Sequence, residues 1–212
     1  MTVAASRLRR LIKTEPKPPA PVVERCGLCS TMLADEHRHM LDVPTGSLIC
    51  VCQACSILFD QKAAGAGHYR LIPNDVFAID GFALEDGRWE ALRLPVDMAF
   101  FYRNTPADRI LAYYPSPAGA TQSLLDLSAW SRLEEENPVL RTMEPDVQAL
   151  LVQRARGTPS YWIAPIDVCY ELVAVIRTRW RGLGGGEEVW SGIDEFFGRL
   201  GRRASPLHST ST

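Results

Sequence analysis

Two C-x2-C pairs, Cys26/Cys29 and Cys52/Cys55, stand twenty-two residues apart in the sequence. Between Cys26 and Cys55 lie five of the six cysteines and two of the four histidines of the chain. A C-x2-C turn aims two sulfurs at one point while backbone N–H groups bond to them, and two such turns have the spacing of a tetrahedral four-thiolate metal site. The candidate ligands are therefore Cys26, Cys29, Cys52 and Cys55. A segment this short buries too little apolar surface to fold alone, so metal binding would supply its folding energy.

The expected ion is Zn2+. A rubredoxin-like iron–thiolate centre uses the same geometry and is the alternative cofactor, Fe in place of Zn. Its knuckles carry Gly and Pro around the thiolates to admit N–H···S bonds. Here only Gly27 is present, which favours zinc. In an extracellular setting paired cysteines would instead read as disulfides. The N-terminal stretch MTVAASRLRRLIKTEPKPPAP has no continuous apolar region of the secretory kind. No apolar run approaches the ~18 residues of a membrane span. A cytoplasmic protein with reduced, metal-ligating thiols is the expectation.

At 212 residues, 46% hydrophobic and 23% charged, the remainder of the chain suffices for one sizeable core. A net charge of −2 gives no whole-chain field to draw in nucleic acid. The order predicted is a basic, Pro-rich disordered leader (1–22), a zinc-binding module (23–62), a small-residue linker, an α+β domain (70–200) and a disordered tail (201–212). The fold class is thus α+β: a small four-cysteine zinc module, treble-clef or zinc-ribbon-like, followed by a domain of mixed antiparallel sheet and helices.

Within the module, 37–43 and 47–52 read as a hairpin. The turn Val43-Pro44-Thr45-Gly46 suits a three-residue bulged loop in which Val43 opposes Ser47. That register puts His37, His39 and Leu41 on one face and Cys50 on the other. A two-residue loop would instead place His39 opposite Cys50. After Cys52, QACSILF either continues as a helix (treble clef) or stays extended (ribbon). In the second domain, helices are expected at 84–92, 128–137 (capped by Ser128), 167–180 (capped by Asp167) and through GEEVWSGIDEFFGRL. Strands are expected at 95–103, 109–115, 147–154 and 160–166, with SPAGATQ as a loop.

Other chemistry is sparse. Cys50 could replace Cys52, bind a second metal, or pack as a small hydrophobe; packing is the simplest reading, and Cys50, His37 and His39 are each only additional candidates as metal ligands. Strand histidines beside a four-cysteine module suggest a ββα metal nuclease. That chemistry needs further ligands on the following helix, and SILFDQKAA provides only Asp60 and Gln61. Cys169 lies on an apolar helical pattern and reads as core. GLGGGEE lacks the Lys-Ser/Thr of a phosphate loop and places acids where the anion would sit.

The motifs CGLC, HRHML, LICVCQAC, AFFYRN, YYPSPAGAT, PIDVCYELV and WRGLGGGEEVW resemble an uncharacterised bacterial family over residues 24–200. That family is often encoded beside nickel–iron hydrogenase and accessory genes. The resemblance implies a setting and no reaction: a protein partner among hydrogenase subunits or maturation factors. The sequence shows no nucleophile–base pair and no paired carboxylates in a recognisable motif. A non-catalytic, protein-binding zinc protein is the function expected.

Overall fold

The computed structural model describes residues 24–59, 67–124, 126–182 and 184–209. The leader (1–22) and most of the linker lie outside the described residues. The first sheet has three strands in the order β2-β1-β3, with β1 Arg38–Asp42, β2 Ser47–Val51 and β3 Tyr69–Leu71, all antiparallel. Helix α1, Gln53–Phe59, follows β2. The sequence continuation after Cys52 is therefore helical. The boundary expected at residue 70 falls inside β3, which pairs with β1 of the module.

The second sheet has seven strands in the order β10-β4-β9-β8-β5-β6-β7. Here β4 is Phe77–Asp80, β5 Met98–Asn104, β6 Arg109–Ser116, β7 Gly119–Ser123, β8 Gln148–Gln153, β9 Ser160–Pro165 and β10 Ser205–His208. Only the β10/β4 pair is parallel. Its helices are α2 Asp86–Ala91, α3 Leu127–Glu136, α4 Ile166–Arg179 and α5 Gly186–Arg203, with a 3-10 turn at Pro138–Thr142.

Both faces of this sheet are covered, and the side-chain alternation of the central strands sorts the core into two layers. Phe100, Ala149 and Leu151 face α4 and α5, meeting Cys169, Leu172, Val189, Ile193 and Phe196. Ala99, Phe101, Leu150 and Val152 face the other way, toward Trp89, Trp130, Leu133 and Leu140. Strand β8 is buried along its whole length, which is why ALLV reads as an unbroken apolar run. Cys169 is fully buried, and burial pushes its thiol pKa up, as befits a core residue.

Three local expectations need correction. SPAGATQ is not a loop: β7 hydrogen-bonds to β6, from Ala112↔Ser123 to Ser116↔Gly119. An edge strand of small polar residues has no apolar alternation to announce it. Helix α3 is capped by Asp126, whose carboxylate accepts from the amides of Ser128 and Ala129, and not by Ser128. Of the tail expected to be disordered (201–212), residues 201–208 instead complete α5 and form β10, and 210–212 lie outside the described residues. The Ser205 amide donates to Val76 O at 2.9 Å, and the Ser209 amide to Asp80 O at 3.1 Å. Pro206 is accommodated because β10 is an edge strand.

Asn137, fully buried at the end of α3, ties that helix to the loop after β4. Its Oδ1 accepts from Ala83 N at 2.8 Å, and its Nδ2 donates to Ala83 O and Leu133 O, each at 3.0 Å. Asn137→Ala strands these backbone groups away from water and is expected to cost about 2–3 kcal/mol. Urea unfolding with an unchanged m-value checks it.

Candidate metal centre

The first cysteine pair sits on a knuckle closed by backbone bonds. Cys26 N donates to Thr31 O at 2.8 Å, and Ser30 N to Cys26 O at 2.8 Å. Ser30 reverses the chain in the left-handed region, at φ 61°. Gly27 N donates to Cys50 O at 2.9 Å, which pins the knuckle against β2. A Cβ at Gly27 would stand 2.4 Å from Ile49 Cγ2, so only glycine lets the knuckle lie this close. The second pair leaves the end of β2 and enters α1: Cys52 O accepts from Ser56 N at 2.9 Å, placing Cys55 in the first helical turn.

The four sulfurs converge. All lie within 4.8 Å of one another, and Cys29 Sγ is 3.6 Å from Cys52 Sγ. Tetrahedral thiolates about 2.3 Å from zinc have sulfur–sulfur edges of about 3.8 Å, against about 2.05 Å in a disulfide. All six cysteines are free thiols. Cys26 is the buried anchor, packed with Met40 and Val51; Cys29 is exposed.

The electrostatics calls for a cation. Burial opposes ionisation of Cys26, but the amides of Cys52, Cys29 and Leu28 outweigh it and bring the thiol down to about 6. Burial, then the adjoining sulfurs, push Cys55 up to about 12. At Cys29 the Thr31 amide favours the thiolate, yet the Cys26 and Cys52 sulfurs beside it hold the pKa above the usual thiol range. The Cys26 thiolate forms readily, and Cys29 and Cys55 resist joining it. A bound divalent cation reverses that resistance by supplying the opposite charge.

The hairpin register is not the bulged one that the turn residues favoured; it has the pairing of the alternative, His39 opposite Cys50. Asp42 opposes Ser47 and His39 opposes Cys50, across the four-residue turn 43–46. Asp42 makes this turn: its carbonyl accepts from Gly46 N at 2.8 Å and its carboxylate from Thr45 N at 3.3 Å, with Gly46 left-handed at φ 67°. The single-residue shift moves Cys50 to the face of His37 and His39. One donor atom of each residue lies within 4.8 Å of the others. Cys50, read from sequence as simple packing, is thus part of a second cluster.

Asp167 is not the N-cap residue, which is Pro165; it lies in the first turn of α4, where its Oδ1 accepts from Val168 N at 2.8 Å. Its Oδ2 lies 2.7 Å from His39 Nδ1, joining the module to the first turn of α4. That hydrogen bond raises the His39 pKa above its ordinary value, against the effect of burial. Burial, and then the charges of Glu24 and Cys26, raise the Cys50 thiol. Asp167 lies 128 residues from His39, beyond any spacing rule, and Glu24, though near the first cysteine pair, belongs to no motif that would tie it to the hairpin. Among the described residues no helix is long and apolar enough to cross a membrane.

A family model described as a family of unknown function, DUF5947, matches residues 25–204, most of the chain, and the chain belongs to that family. The match takes in the cysteine module and every strand of the larger sheet except β10. Nothing matches among curated proteins or among solved structures.

Proposed function

For this member of a family of unknown function, we propose a protein-binding accessory role organised by a structural zinc site. Cys26, Cys29, Cys52 and Cys55 hold one Zn2+ and so keep the knuckle, hairpin and helix in a treble-clef-like module. The observation that carries this reading is the convergence of four sulfurs within 4.8 Å of one another, with Cys29 and Cys52 at 3.6 Å, near the tetrahedral edge. A closed four-thiolate shell leaves no coordination position for water or substrate, whereas catalytic zinc keeps one open. The module surface also bears Met32, Ile57 and Leu58, each more than three-fifths exposed, as apolar anchors for a partner. On the sequence resemblance alone, we place that partner among nickel–iron hydrogenase subunits or maturation factors.

Elemental analysis of protein produced with zinc and iron both present should find zinc, with no visible iron–thiolate absorption. Iron colour would favour the redox alternative. Cys52→Ser should empty the four-cysteine centre while Cys50→Ser leaves it loaded; the reverse ranking would reassign the third ligand. Affinity capture from the native host should recover a partner that Ile57→Asp/Leu58→Asp loses. If deleting the gene leaves hydrogenase activity unchanged, the assignment of that partner is wrong.

A further inference from the structure

We propose that His37, His39 and Cys50 form a second metal site, of two imidazoles and one thiolate, that takes a divalent transition-metal ion separately from the four-cysteine centre. Their donor atoms lie within 4.8 Å of one another, on facing strands of one hairpin.

The orientation of the rings carries the argument. Each histidine turns Nδ1 to a protein acceptor: His37 to Ala34 O at 3.0 Å, His39 to Asp167 Oδ2 at 2.7 Å. An acceptor at Nδ1 holds the proton there and leaves the Nε2 lone pair as the donor. Carboxylates and carbonyls stand in this way behind metal-bound imidazoles, fixing the tautomer and raising ligand basicity. His37 Nε2 is buried and makes no hydrogen bond; Glu24 Oε2, at 3.5 Å, lies beyond good hydrogen-bond range. A buried acceptor without a partner is costly, and a cation on that lone pair removes the cost.

Imidazole with thiolate selects zinc-like ions over Mg2+ or Ca2+, which prefer oxygen. Three protein ligands leave the fourth tetrahedral position for water or a small exogenous donor. Glu24, more than half exposed, stands 3.5 Å from His37 Nε2. A clamp made only of the His39–Asp167 pair would explain one histidine, but neither the unpartnered His37 nitrogen nor the approach of Cys50.

The test uses full-length protein, stripped of metal under anaerobic conditions and titrated with Co2+ while thiolate-to-metal absorption is followed. Wild type should take up two equivalents. Cys50→Ser and His37→Gln should each lose one and keep the four-thiolate spectrum, with circular dichroism confirming the fold. Asp167→Asn should weaken the second equivalent about 10–100-fold and leave the first unchanged. A wild type that saturates at one equivalent with the four-thiolate spectrum overturns the proposal. So does a second equivalent that survives both Cys50→Ser and His37→Gln. One equivalent that withstands Cys29→Ser but not Cys50→Ser would support this site and remove the four-cysteine reading instead.

Discussion

Replacing Cys26 with Ser is expected to release the metal of the four-cysteine centre and melt the module, with the loss felt in the larger domain. The module's own core is small: Cys26, Met40 and Val51, with partly buried neighbours. Structural zinc contributes about 10–16 kcal/mol of apparent binding energy in comparable small modules, so so small a core cannot hold without it. The effect spreads because Leu41 and Val43, carried by β1 and its turn, are buried in the core layer beneath α4 and α5. Withdrawing side chains of this size costs about 2–5 kcal/mol each where the site cannot collapse. Limited proteolysis should cut first within residues 24–59, and the remaining cooperative transition should fall in midpoint. An unchanged midpoint alongside complete loss of metal would show that the second domain does not depend on the module.

Asp146→Ala should be strongly damaging, at about 3–5 kcal/mol, because it removes the buried carboxylate that Thr105 and Arg70 share and leaves that guanidinium the Pro145 carbonyl in place of an opposite charge. Asp146 is 1% exposed and holds its backbone at φ 67°. Its Oδ1 accepts from Thr105 N and its Oδ2 from Thr105 Oγ1, both at 2.7 Å, and Arg70 Nη1 stands 3.3 Å from Oδ2. One carboxylate therefore closes the β5–β6 turn and anchors β3, the strand that joins module and domain. Asp146→Asn keeps a residue that tolerates the left-handed backbone and retains one acceptor oxygen, so it should cost appreciably less. Equal losses in the two variants, measured by guanidinium unfolding, would mean that the buried charge, which both remove, and not backbone strain dominates.

Much of this protein is legible in its sequence because the relevant interactions are local. Two C-x2-C turns bring their own sulfurs together within four residues each. Hairpin and helix patterns, including the helical run of Val189, Ile193, Phe196 and Leu200, follow from period alone. Where apolar periodicity is weak, as in GATQS of β7 and SPLH of β10, the strands exist only because an ordered neighbour offers them a ladder. The second cluster depended on two facts outside the reach of spacing. Asp42, through its bonds to Gly46 and Thr45, sets a four-residue turn, and a one-residue change of register exchanges the faces of a strand. Asp167 meets His39 across 128 residues because α4 packs its first turn against the module. The convergence of the four cysteines was thus determined by the sequence itself. The company kept by His37, His39 and Cys50 was decided by tertiary packing, since register and long-range docking are won by the sum of many burials and not by any one motif.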